Sequence, residues 1–554
     1  MANTQIDRRG MLALGGMAAA SAVAPVAALA APAPERASAP NTAAPAPVPS
    51  RWGKGIEGQR KADLGNGMFR NPILAGDYAD PSILKDGDDY YMTHSSFDAA
   101  PGLLIWHSRD LVNWVPVGPA LAQPIAIGFA VDLVKHAGRY FIYIPFIPAP
   151  WSAKVKDAPQ IWVIHADAIT GPWSEPVDLG IKGAIDPGHV VGEDGKRYLF
   201  LSGIERVQLT DDGLATAGPV AHAYDGWKYP DEWITEAYAL EGPKLLRRSE
   251  WFYIITAVGG TSGPATGHMV TAARSRSVNG PWENCPHNPI IRTRDVGEAW
   301  WSRGHATAVE GPRGQWYFVY HGYENGYRSL GRQTLLEPFE WTSDGWPRAL
   351  GGDLSQALPM PTGRAGGPHG FARSDSFATS SLGTRWTGYG LSPDEAARIA
   401  MGGGKLVLQG KGTGPADGLL VTQGVGDLAY EITVSVELEG EVEGGLLLFY
   451  NRRLFLGMGL EGAGMKSYRG GQPMYWREPA PLSRTMHLRI VSDHQIVTFY
   501  YSLDGKSWTR HGVRSEVSGY NANTSDELAS LRPALFAAGK GQAVFRDFRY
   551  RALG

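Results

Sequence analysis

The chain has one cysteine, Cys285, in 554 residues. That excludes an intrachain disulfide and any cysteine-built metal centre, and it leaves Cys285, just ahead of Pro286, as a small core filler. An excess of either charge is missing too. The formal net charge is −3, so no basic field invites nucleic acid. Long amphipathic helical periods are also absent. What the chain does have is 71 glycines, 18 tryptophans and 23 tyrosines among short apolar runs, the pattern of an all-β protein.

The opening residues read as an address. Asp7-Arg8-Arg9-Gly10-Met11-Leu12 is a twin-arginine pattern, followed by an alanine-rich apolar stretch and a small-residue cleavage site at Ala28-Leu29-Ala30. The apolar stretch is short for a membrane anchor and is broken by Pro25, and no cysteine lies nearby to carry a lipid. Residues 1–30 are therefore expected to direct folded protein through the twin-arginine route. The mature chain would be periplasmic or secreted and free of the membrane. Residues 31–64 are expected to form an Ala/Pro-rich linker.

From residue 65 a unit recurs. Asp89-Tyr90-Tyr91, Arg139-Tyr140-Phe141, Arg197-Tyr198-Leu199, Trp251-Phe252-Tyr253 and Gln315-Trp316-Tyr317 each follow turn residues and open a β-prone run. The spacing of roughly fifty to sixty-five residues is that of propeller blades. About ten residues upstream of each pair, a polar residue stands beside a short apolar strand: Asp80, Asp132, Asp186, Glu241 and His305. Four copies also carry a downstream tryptophan, at Trp114, Trp173, Trp282 and Trp341. Five copies predict a five-bladed β-propeller over 65–362, with the first strand of every blade lining a central channel. The five polar residues would then meet at one mouth. Beyond a glycine-rich joint, alternating segments such as Lys405–Gln409, Tyr430–Val436, Gly445–Tyr450 and Val497–Tyr501 predict a β-sandwich over 363–554. It would serve as a glycan-binding module or as a packing partner that completes the site.

Several carboxylates without a nucleophile triad suggest acid/base hydrolysis. Glycoside cleavage needs one protonated carboxyl for the leaving oxygen and one ionised carboxylate to activate water or attack carbon. A third acid nearby raises the donor's pKa by like-charge repulsion. Each residue also has a plainer role open to it. Asp-Pro pairs such as Asp80-Pro81 and Asp186-Pro187 start turns, and a lone buried histidine is often only hydrogen-bonded core. Their joint recurrence at one point of the repeat is what singles them out.

At these residues the sequence resembles glycoside hydrolase family 43. The likeness runs over about residues 68–350, through Asn71-Pro-Ile-Leu-Ala-Gly-Asp-Tyr-Ala-Asp-Pro-Ser82, Ile185-Asp-Pro-Gly-His189, Leu240-Glu-Gly-Pro-Lys244, Ser302-Arg-Gly-His305 and Gly331-Arg-Gln-Thr334. Gly445-Leu-Leu-Leu-Phe-Tyr-Asn451 and Leu531-Arg-Pro-Ala-Leu-Phe-Ala-Ala538 resemble the concanavalin-like sandwich behind many exo-acting members. The resemblance implies an inverting exo-glycosidase removing β-D-xylose or α-L-arabinofuranose from plant cell-wall oligosaccharides. By the same resemblance Asp80 is the general base and Glu241 the general acid, while Asp186 raises and orients the donor. Arg332 contacts the innermost sugar, with Phe97, Trp301 and Asp132 as further substrate contacts. His305 binds substrate or holds a calcium ion through water, although the chemistry requires no cofactor. The chain departs from the family at Ala99-Ala100 and at Phe129-Ala-Val-Asp132. Both changes reshape the sugar wall and leave Phe97, Trp151, Trp227, Trp300 and Trp301 to supply stacking surface. Two other readings stay open: a retaining fructan-active or other furanoside hydrolase, with Asp80 as nucleophile, and a non-catalytic glycan-binding propeller.

Overall fold

In a computed structural model of the chain, the described residues are 52–462, 464–475 and 479–554, within one compact unit, Ser50–Gly554. The export signal expected at 1–30 lies outside them, as does most of the 31–64 linker. The remainder of that linker is not a tether. Gly53–Lys54 pairs with Arg60–Lys61, Trp52 Nε1 donates to Asn71 O, and Arg60 donates to both Glu324 and Asp427. The reason is composition, because the Ala/Pro bias ends near residue 50 and Trp-, Arg- and Glu-bearing sequence follows.

Five antiparallel sheets follow, each built on four strands in sequence order. Their first strands are Ser82–Asp86, Asp132–His136, Gly188–Val191, Glu241–Arg248 and Trp300–Glu310. These touch one another in a closed cycle, first to second and onward until the fifth meets the first. This is a five-bladed propeller with its first strands around the channel. The recurrent aromatic pairs sit in the second strands, where tight hairpins join Asp86 to Asp89, His136 to Arg139 and Arg248 to Trp251. Between neighbouring blades lies a separate apolar layer, for example Ile105, Leu133 and Trp162 between the first and second, and Phe200 and Ile254 between the third and fourth. The ring closes where the chain returns: Leu358 and Pro359 pair with Phe69 and Met68, and Ile73 N–H donates to Thr334 O.

The C-terminal third is a β-sandwich organised on two long strands, Ala429–Asn451 and Arg532–Ala552, which pair from Tyr430↔Ala552 to Phe449↔Arg532. The first half of Ala429–Asn451 also pairs with Thr485–Asp493 and its second half with Leu454–Glu461. The sequence predicts two strands here, split at the polar stretch Glu439–Glu443. Instead that stretch stays in the ladder. Glu441 faces Lys540 across it, and Gly440, at φ 87°, supplies the left-handed kink that lets the strand bend without breaking.

Ala99–Ala100, in the link between strands Asp89–Thr93 and Gly102–Ser108 of the first blade, joins the sandwich sheet through Thr387–Tyr389. Ala100 is buried in the sandwich core, which explains why this place carries alanine rather than an aromatic side chain.

Candidate active site

Three non-glycine residues at matching points of the ring have left-handed backbone: Asp80 and Asp186 at φ 56°, and His305 at φ 58°. This region costs an L-residue about 1–3 kcal/mol and persists where the surroundings enforce it, often at functional groups. In the fourth blade the kink falls on Gly242 (φ 63°), directly after Glu241. A Cβ there would lie 3.1 Å from the His305 ring, so glycine is required both by the dihedral and by the close approach.

Asp80 is 5% exposed and densely bonded. Ser95 Oγ donates to its Oδ2 at 2.5 Å, and Arg332 Nη1 donates to Oδ1 at 3.0 Å. His321 Nδ1 and His305 Nδ1 stand 3.0 and 3.4 Å from the same Oδ1. Burial pushes this carboxyl up. The Arg332 guanidinium, joined by His305 and His321, outweighs it and holds Asp80 well below the usual aspartate range. Asp80 is ionised.

Asp186 and Glu241 behave differently. Burial, then the charges of Glu241 and Asp80, push Asp186 well above the usual range, although Gly242 N–H donates to its Oδ2 at 3.1 Å. Burial raises Glu241 as well, but His268, with Nε2 3.5 Å from Oε1, and then His305 outweigh it and hold Glu241 below its ordinary value. The two carboxyls repel one another's charge, and that repulsion adds to burial in raising Asp186. The sequence expectation has Asp186 raising Glu241; His268 and His305 beside Glu241 pull its carboxyl the other way. His268 causes the difference. It precedes the third strand of the fourth blade, Met269–Ser275, away from the first-strand positions that the repeat makes visible. Glu241 is also the most open of the three acids, its side chain 18% exposed.

Around the acids, Arg332 lies over the Phe97 ring, 5.6 Å from its centroid, and Phe97 in turn packs edge-on against Phe129 at 5.7 Å. Arg332 Nη2 and His305 Nε2 are buried without a protein partner. Buried polar groups of this kind call for a ligand or water.

Asp132 does not join them. Its Oδ1 takes Lys244 Nζ at 2.8 Å and Ser82 Oγ at 3.2 Å, and its Oδ2 takes His189 N–H at 2.7 Å. Both oxygens are thus committed to tying the inner strands together rather than to a substrate. Trp301 turns its indole N–H to Val296 O at 2.9 Å and its face to Arg328. Trp300 is core between the fourth and fifth blades. Trp227 packs against Trp233 at 6.2 Å, in the long connection that runs into Glu241. Trp151 lies beside Gly390 of the sandwich.

The resemblance implies a calcium ion held by His305 through water, and His305 Nε2 is without a protein partner. Calcium takes six to eight oxygens, and the channel oxygens of Val131, Asp132 and Pro187 already bind the Lys244 ammonium at 2.6, 2.8 and 3.3 Å. Among the described residues no cluster of three His, Cys, Asp or Glu side chains could hold a metal.

Ser95, His268 and His321 around the acids, and Lys244 behind them in the channel, are the residues that the sequence alone does not reveal. Only Lys244 lies in a recognised motif, Glu241-Gly-Pro-Lys244.

Comparison with known proteins gives the family and the fold. Residues 69–347 match the family model for glycosyl hydrolases family 43, and residues 374–551 match the beta xylosidase C-terminal concanavalin A-like domain. A xylan 1,3-beta-xylosidase of Vibrio sp. is 34% identical over 317 residues, 50% of this chain and 57% of that protein. A xylosidase/arabinosidase of Humicola insolens is 32% identical over 324 residues, 54% of this chain and 58% of that protein. The chain thus spans between half and two thirds of these relatives' own length. Among solved structures, a family 43 protein from Bacillus licheniformis superposes with a TM-score of 0.77 at 27% identity, covering 88% of this chain and all 100% of that one. A xylan beta-1,4-xylosidase from Bacillus halodurans gives 0.76 at 25% identity, over 87% and 99%.

Proposed function

The chain belongs to glycosyl hydrolase family 43, and on that premise we propose that it is an exo-acting, inverting glycosidase. It removes a terminal β-D-xylose or α-L-arabinofuranose from plant cell-wall oligosaccharides. One observation carries this reading: Asp80, bonded by Arg332 at 3.0 Å, and the Asp186–Glu241 pair, linked through Gly242 N–H, are gathered around His305. Base and acid are separated by their surroundings, as two-carboxylate hydrolysis requires.

In this mechanism Asp80 takes a proton from water as that water attacks the anomeric carbon. Glu241, the acid most open to the pocket, gives a proton to the leaving oxygen. A sugar seated against Glu241 removes its remaining exposure and so raises its pKa. A proton then moves from Asp186 to the carboxyl that faces the leaving group. Arg332 Nη2 and His305 Nε2 offer hydrogen bonds to sugar hydroxyls, and the Phe97 ring forms one wall. Each proton-transfer group contributes roughly 10² to 10⁴ in rate. With Lys244 placed among the channel oxygens, none of these steps calls for calcium.

The test is proton NMR of aryl β-D-xyloside and aryl α-L-arabinofuranoside hydrolysis, with Glu241→Ala in parallel. The expected result is that the inverted anomer appears first from one substrate and that the variant loses this activity. First appearance of the retained anomer would make Asp80 a nucleophile. Turnover of neither substrate would overturn the pentosidase reading.

A further inference from the structure

The pocket walls are not made by the propeller alone. Phe97 is followed by Asp98, whose carbonyl accepts Gly390 N–H of the sandwich at 3.0 Å, and by the Ala99–Ala100 strand paired to Thr387–Tyr389. On the opposite side, Ser329 stands three residues before Arg332. Its carbonyl accepts Leu531 N–H at 2.7 Å, and its hydroxyl pairs with Gln495 Oε1 at 3.0 Å. Leu531 and Arg532 are adjacent. One short sandwich segment therefore reaches both the wall that carries Phe97 and the loop that carries Arg332.

Arg532 is the charged part of that segment. Its Nη2 lies 3.7 Å from Asp98 Oδ1, with both side chains largely buried, and its guanidinium stands over the Tyr389 ring at 5.7 Å. The Tyr389 hydroxyl donates to Glu527 Oε2 at 3.1 Å, and Arg452 covers the same ring at 5.3 Å. The field of Arg532 also reaches Asp77, which accepts the Arg332 backbone N–H at 3.1 Å. Burial, opposed by Arg532, raises Asp98 to about 6. Without that cation, Asp98 would be a buried carboxyl near the acidic Glu527, with the Tyr389 hydroxyl and a backbone N–H as its remaining partners.

We propose that Arg532 is a positioning residue for the sugar pocket: through Asp98 it holds the Phe97 wall at a fixed distance from Arg332, so that the sandwich sets the width of the innermost subsite. The proposal rests on reading this pocket as the sugar site. It assigns the sandwich a direct part in substrate fit and gives Arg532 no contact with the reacting atoms.

Hydrogen exchange of the purified full chain tests it, with Arg532→Met and Arg532→Lys compared with the parent. In Arg532→Met the amides of residues 97–100 should exchange about tenfold faster or more, while the blade strands stay unchanged. KM for the aryl glycoside that the parent cleaves should rise roughly tenfold, with kcat within about threefold. Arg532→Lys should restore most of both. Unchanged exchange at 97–100, or a lower Tm with KM unmoved, would reduce Arg532 to an interdomain tie and overturn the proposal. If the parent cleaves neither substrate, the activity reading fails while the exchange comparison still decides the wall coupling. Should Arg532→Met fail to fold, Asp98→Asn breaks the same pair from the propeller side and is read by the same exchange.

Discussion

Lys244 offers the sharpest test of how the channel is held together. Its ammonium joins the fourth blade to Asp132 and Val131 at the second and to Pro187 at the third, at 2.8, 2.6 and 3.3 Å. Both charged side chains of the pair are under 10% exposed, at 5% and 9%, so solvent screening is weak. Removing one partner of such a pair costs about 3–5 kcal/mol, because it strands the other charge. Asp132 keeps Ser82 Oγ and His189 N–H, which puts Lys244→Met at the low end, about 3 kcal/mol. With an unfolding entropy of about 2.1 cal/mol/K per residue, a cooperative unit of about 500 residues loses roughly 3 °C in Tm. Scanning calorimetry reads this directly. Lys244→Met/Asp132→Asn should recover more than half of the loss, since the stranded charge is gone. A single-variant drop under about 1 °C, or a double variant no better than the single, would refute the reasoning.

Three further outcomes follow from the acids and the channel. The raised pKa of Asp186 means that its contribution to stability is present at low pH and is lost as pH rises from the ordinary aspartate range through the folded value. Asp186→Asn should therefore gain on the parent in Tm as pH increases, while kcat falls by roughly 10²-fold. The kcat/KM profile should be bell-shaped. Its acid limb, set by Asp80, should lie below the usual aspartate range, and its basic limb, set by the Asp186–Glu241 pair, above the usual carboxyl range; a single limb would contradict this assignment. Treatment with EDTA should leave the rate within about twofold, since Lys244 holds the channel oxygens. A large loss restored by calcium would place a metal there after all.

The propeller was legible in the sequence because every blade repeats one hairpin, and the repeat itself located Asp80, Asp186, Glu241 and His305 at equivalent points. What the repeat could not locate were side chains arriving from other strands. His321 comes from a second strand, Trp316–Glu324, and His268 from the turn before a third. Both are single histidines in otherwise apolar runs, without a local pattern. Asp132 shows the converse. It keeps the repeat position, yet a lysine two blades away takes its charge, and only the folded ring brings the two together. In the sandwich, alternation identified the strands. It missed that Ala429–Asn451 is one element, because a polar stretch with glycine reads as a turn unless a partner strand bends with it.

The closure of the ring sets an order of events. Met68–Phe69 waits for Leu358–Pro359, and Asp80 waits for Arg332. A chain emerging from the ribosome therefore holds its prospective base without its guanidinium partner until almost the whole propeller has been synthesised. The Ala99–Ala100 strand waits longer still, for Thr387–Tyr389. Pairings so distant along the chain close late. The pocket is thus among the last parts of the molecule to form, and a chain halted before the fifth blade is complete lacks the Arg332 half of the site.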